Sequence, residues 1–180
     1  MSLSYWSYVL GLVCVSFGGV VLVRPSAASR VLNAFPRNTV SGWVLSIVAW
    51  SWAGYAVHMM DIDFINPYKY LLPFLVLACI PLTWFWMGNL LPCRAFGGIL
   101  TLFPYGLLLV ARSHPSAWRL VLVVFAYIAI VKGMVYLLYP WKMRQQIVWV
   151  TARPVLFRAV GAVDALLGLL LIALGATVFR

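Results

Sequence analysis

The sequence predicts an all-α integral membrane protein: a bundle of about six transmembrane helices, arranged as three hairpins, with a short interfacial helix after the first span. Three observations carry this expectation. The first is composition: of 180 residues, 65% are hydrophobic and 9% charged, against about 45–50% apolar and about 25% charged in an ordinary soluble domain. A soluble fold of this size cannot hide so much apolar surface from water, whereas lipid accommodates it. The second is continuity. A spanning segment must satisfy its own backbone hydrogen bonds, which leaves helices or closed barrels, and unbroken apolar stretches without period-two alternation select helices. The third is where the cations fall, mostly in short segments between apolar stretches, as membrane orientation and lipid-headgroup contact require.

Taken in order, the spans cover about residues 5–23, 40–58, 70–91, 95–111, 118–139 and 155–179, within one transmembrane domain, 1–180. Each is close to the roughly 17–25 residues that cross a bilayer. No Lys or Arg precedes Tyr5, so a basic signal-peptide start is absent and the first span is expected to be a retained helix. Between the first two spans, Ser26, Ser29, Arg30 and Asn33 share one narrow helical arc, with Ala27, Ala28, Val31, Leu32, Ala34 and Phe35 covering the rest. That pattern predicts an interfacial helix over about residues 26–35. The fourth span is interrupted by Pro104, which suits a tilted or re-entrant segment. The segment from Trp141 to Arg153 has a less regular pattern and is read as a helix with little apolar periodicity.

The odd spans stop alike. The first ends at Arg24-Pro25, the third at Pro92-Cys93-Arg94 and the fifth at Pro140-Trp141-Lys142. Proline is expected to terminate each helix, and the neighbouring cation suits both the C-terminal dipole and anionic headgroups. Further prolines, Pro36 and Pro154, stand in the first and fifth loops, so three like-oriented hairpins are read. Arg24, Arg30, Arg37, Arg94, Lys142, Arg144, Arg153 and Arg158 fall on one side and are expected to contact headgroups. Lys69, Arg112, Arg119 and Arg180 fall on the other, with Asp61 and Asp63. The positive-inside rule places loops one, three and five in the cytoplasm, with both termini outside, in a bacterial inner membrane.

Net charge is +10, yet no basic run or basic domain exists to bind nucleic acid, so none is expected as a partner. Cys14, Cys79 and Cys93 form no Cys-x-x-Cys and read as small apolar packers. Lys132 and Asp164 are charges inside apolar spans. Antiparallel neighbours would bring them to similar depth, so an ion pair is expected, fixing helix register or serving a proton or ion relay. Gly161, Gly168 and Gly175 recur every seven residues beside Asp164, a stripe expected to pack against another helix, with the fifth span as the candidate.

Trp50, Trp52, Trp84 and Trp86 lie within spans rather than in an interfacial belt. They are read as bulky packers or as an aromatic pocket for a quinone, pigment or lipid tail. His58 and His114 fall at membrane edges rather than paired within the bilayer, so no metal site and no cofactor are expected, the two histidines being the weak candidates. No Gly-rich phosphate loop, Gly-x-Ser-x-Gly or His-Glu-x-x-His occurs, and three acids leave little for paired-carboxylate chemistry. The expectation is a non-enzymatic accessory or scaffolding subunit whose partners are membrane lipids, other proteins or copies of itself. The alternative is a small transporter or channel built on Lys132 and Asp164.

Overall fold

The computed structural model describes residues 3–61, 63, 66–88, 90–113 and 115–179. Among the described residues the regular structure is helical, with no strand. The helices are α1 (Leu3–Val23), α2 (Pro25–Ala34), α3 (Thr39–Met59), α4 (Leu72–Trp86), α5 (Leu91–Leu102), α6 (Pro104–Ser113), α7 (Arg119–Leu138), α8 (Pro140–Thr151) and α9 (Pro154–Thr177). Six helical stretches are long and apolar enough to cross a membrane: Leu3–Val23, Thr39–Met59, Asn66–Trp86, Leu91–Ser113, Arg119–Leu138 and Pro154–Thr177. At 1.5 Å rise per residue, about twenty residues match a hydrocarbon core of about 30 Å.

Proline sets most of the helix starts. Pro25, Pro104, Pro140 and Pro154 are first residues, and Pro73 and Pro92 second ones. A proline there loses an N–H that has no intrahelical acceptor anyway, and its fixed φ suits the first turn. This corrects the expected third span. Pro92 does not close that helix; α4 stops at Trp86 and Pro92 opens α5. The chain reverses through Leu90, whose backbone is left-handed (φ 60°, ψ 28°). The fourth span therefore starts at Leu91 and extends over 23 residues to Ser113. It breaks at Phe103, where Pro104 starts α6. Elsewhere Asn38 caps α3, its Oδ1 accepting from the Val40 and Ser41 amides at 3.0 and 3.3 Å.

The chain divides into two compact units. One combines α1, α2, α6, α7 up to Ala129, and the chain from Gln145 through α9. Its core is the α1–α9 pair. On α1, Ser7, Gly11, Cys14, Gly18 and Val21 are buried; on α9, Phe157, Gly161, Gly168, Leu171 and Gly175 are buried. The α1 set steps by three and four residues and the α9 set by three, four and seven, the spacing of a helix–helix seam. A Cβ on Gly18 would lie 2.5 Å from the Gly161 carbonyl oxygen, and one on Gly168 2.6 Å from that of Gly11. The backbones touch, as small residues permit in membrane helices. Rising numbers on α1 meet falling numbers on α9, so the pair is antiparallel. Its partner corrects the expectation for the glycine stripe, which packs on the first span. Ser7 Oγ, buried, donates to the Leu171 carbonyl. A small cluster of Val21, Ala28 and Phe157, flanked by Leu32 and Val150, seats α2, and Asn33 Nδ2 donates to Thr151 Oγ1 at 3.0 Å.

The other unit holds residues Phe35–Phe103 and Ile130–Arg144. Here α3 and α5 run parallel: Gly42 sits against Leu91 and Pro92, and Ala49 against Gly98. α4 lies antiparallel on α3, through a Trp43–Trp84 stack with ring centroids 5.2 Å apart and through Val76 against Gly54. The C-terminal part of α7 crosses α5 in the antiparallel sense, where a Cβ on Gly97 would lie 2.8 Å from the Gly133 carbonyl oxygen. These senses are those that consecutive membrane crossings require.

Candidate functional site

The second unit contains a partly open cavity of about 370 Å³. One helical face of α3 (Ser46, Ala49, Trp50 and Ala53) forms one wall. One face of α5, including Arg94, Ala95, Gly98 and Thr101, forms another. Thr83 of α4 and Leu137 of α7 complete it. Gly42 holds α3 and α5 together near Pro92. Farther along, the facing residues Ala49, Ala53, Ala95 and Gly98 are small. The void follows from small side chains meeting small side chains on facing surfaces.

The polar groups of this cavity differ sharply in state. The Ser46 hydroxyl donates to the Trp43 carbonyl (2.8 Å) and accepts from Trp84 Nε1 (2.6 Å). Thr83 Oγ1 donates to the Ile80 carbonyl at 2.7 Å, and Thr101 Oγ1 to that of Gly97 at 2.9 Å. All three hydroxyl protons are thus engaged by their own helices. Arg94 is the exception, for its buried Nε has no hydrogen-bond partner among the described residues.

Arg94 also stands apart from the other expected headgroup contacts. Arg24, Arg30, Arg37, Lys142, Arg144, Arg153 and Arg158 are all exposed, while Arg94 is half-buried. Arg153 lies with its guanidinium carbon 4.8 Å from the Trp149 ring centroid, a cation–π contact at the start of α9. Arg94 is not in a loop, as its position after Pro92 suggests, but in the first turns of α5, facing the cavity.

The four mid-span tryptophans do not form one pocket. Trp50 lines the cavity, and Trp84 stands behind Ser46 against Trp43. Trp86 is 76% exposed, and Trp52 lies off the lining face of α3. Lys132 is exposed on the part of α7 in the second unit, while Asp164 is half-buried on α9 in the first. Asp164 falls between Gly161 and Gly168 on the seam that packs against α1. His58 is exposed near the end of α3, and His114 lies outside the described residues. No three His, Cys, Asp or Glu side chains cluster as metal ligands among the described residues. Asp61 pairs with Lys69 at 3.5 Å on the surface.

The cavity itself was not anticipated. Its sequence signal is an arginine soon after a helix-opening proline, followed by Ala95, Gly98 and Thr101 on one helical face. Comparison with known proteins finds no matching family, no matching curated protein and no matching solved structure. The site is therefore read from its own chemistry.

Proposed function

We propose that this chain is a non-catalytic integral membrane protein, an accessory or scaffolding subunit of a larger assembly in the bacterial inner membrane. The observation that carries this reading is α4. None of its residues is buried, and Phe74, Leu77 and Phe85 are 69%, 68% and 86% exposed. Pro81, inside this helix, cannot donate to the Leu77 carbonyl. A spanning helix with a bulky bare face and a proline within it suits a contact made by a helix of another subunit. The topology belonging to this reading is three like-oriented hairpins with basic loops one, three and five in the cytoplasm. In it α2 lies in the interface, directing Arg30 to headgroups. Photo-crosslinkers at Leu77 and Phe85, followed by purification in mild detergent and mass spectrometry, test it. A discrete protein adduct at both positions is expected; adducts with lipid alone would contradict the subunit reading.

One observation favours a second reading, a small transporter or channel: an acid, Asp164, stands at a seam position in the middle of α9. In that reading Asp164 and Lys132 are the two intramembrane charges that carry the relay. Ion flux in liposomes that is lost in Lys132→Met and in Asp164→Asn, with folding retained, would favour it over the first.

A further inference from the structure

We propose that the α3–α5 cavity is a specific site for an anionic phospholipid, with one acyl chain between the two helices and the phosphate against Arg94. This goes beyond the subunit reading and does not depend on it.

A guanidinium donates five hydrogen bonds and is always charged, yet the Nε of Arg94 is buried without an acceptor. Leaving such a donor unmet is unfavourable, more so for a charged group. Arg94 is also a cation in the first turns of a helix that has no acidic residue there, at the positive end of the helix dipole. Its surroundings are otherwise apolar. An anion bound at the guanidinium balances its charge at the helix start in this apolar setting.

The body of the ligand follows from the rest of the wall. With the hydroxyl protons of Ser46, Thr83 and Thr101 already engaged, Arg94 is the charged donor of a mostly apolar wall. That disfavours sugars and nucleotides and suits an aliphatic chain. A volume of about 370 Å³ falls within the range of roughly 300–1,000 Å³ for ligand sites. From Arg94 the lining runs along α5 to Leu102, eight residues, or about 12 Å along the helix. Arg94 is the fourth residue of its 23-residue span, so it stands near the end of a crossing, where phosphates lie, and the void extends from it toward the apolar interior. A lipid phosphate, joined to its acyl chain across the interface, matches this order of charge then hydrocarbon.

Tryptophan quenching tests the site, because Trp50 lines it. The full chain is reconstituted in phosphatidylcholine vesicles with increasing fractions of dibrominated phosphatidate, dibrominated phosphatidylcholine or dibromostearate. There are nine tryptophans, so the signal is the difference between the wild type and Trp50→Phe. We expect saturable, Trp50-dependent quenching by the phosphatidate at about tenfold lower fraction than by the phosphatidylcholine. Arg94→Gln should remove the preference, Arg153→Gln should leave it, and Gly98→Leu should abolish the quenching by filling the groove. Circular dichroism and melting of each variant show whether it is folded. Should Arg94→Gln fail to fold, native mass spectrometry of the wild type from mixed nanodiscs reads the site directly, with one retained phosphatidate per chain expected. Equal quenching by both phospholipids, a signal unchanged in Trp50→Phe, or saturation by dibromostearate alone would each overturn the proposal.

Discussion

Gly18 and Gly19 are neighbours in α1 with opposite roles. A Cβ on Gly18 meets backbone atoms of α9 at 2.5 and 2.7 Å, while one on Gly19 meets nothing within 4 Å. Gly18→Ala must push the helices apart and is expected to destabilise by about 1–3 kcal/mol. Gly19→Ala is expected to be neutral or stabilising by up to about 1 kcal/mol, through helix propensity alone. Thermal melts in detergent compare the two, and equal effects would show that the α1–α9 seam is not as close as described. Leu90 is a residue-scale cost of another kind, since left-handed backbone disfavours an L side chain by roughly 1–2 kcal/mol and is eased for asparagine. Leu90→Asn should melt at or above the wild type and Leu90→Val below it; the reverse order would remove the strain from the turn before α5.

At the scale of elements, α4 is held on α3 by few contacts, so each should register. Ser46→Ala leaves Trp84 Nε1 without its acceptor and is expected to cost about 1–3 kcal/mol. Adding Trp84→Phe removes the orphaned donor, and the double variant should recover part of that loss. A double-mutant cycle in denaturant that gave no coupling would contradict the pairing. The elements also show what was legible beforehand. Helices long and apolar enough to cross a membrane lie within a few residues of the first, second, fifth and sixth expected spans, because hydropathy, flanking prolines and cations all mark the same edges. Pro92 was misleading because a proline can follow one helix or open the next, and only the backbone at Leu90 decides which. The partner of Gly161, Gly168 and Gly175 was hidden for a different reason: a small-residue stripe announces close packing but not with whom, and here the first span rather than the preceding one supplies it. Ala49 and Gly98 read as ordinary packing residues in the chain. They become walls of a cavity only once two separate spans bring their small faces together.

At the scale of the whole molecule, the chain is a membrane solute before it is anything else. Its composition makes burial in lipid the favourable state, and its excess of cations, 13 Lys+Arg against 3 Asp+Glu, favours anionic over neutral lipid surfaces. The interaction with anionic membranes should weaken as salt screens it, over a Debye length of about 10 Å at 0.1 M. Vesicle recruitment of a fluorescent anionic lipid around the protein, followed across a salt series, checks this; the Arg94 site, being half-buried, should lose less affinity than the exposed cations do.

In the proposed topology six helices cross the bilayer in alternating sense with the basic loops on one face. Single cysteines in a background lacking Cys14, Cys79 and Cys93 test it through labelling of intact cells with a membrane-impermeant maleimide. Asp61→Cys and Ala117→Cys should label directly, and Ser26→Cys and Gln145→Cys only after permeabilisation. Labelling of Ser26→Cys and Asp61→Cys from the same side would contradict the account.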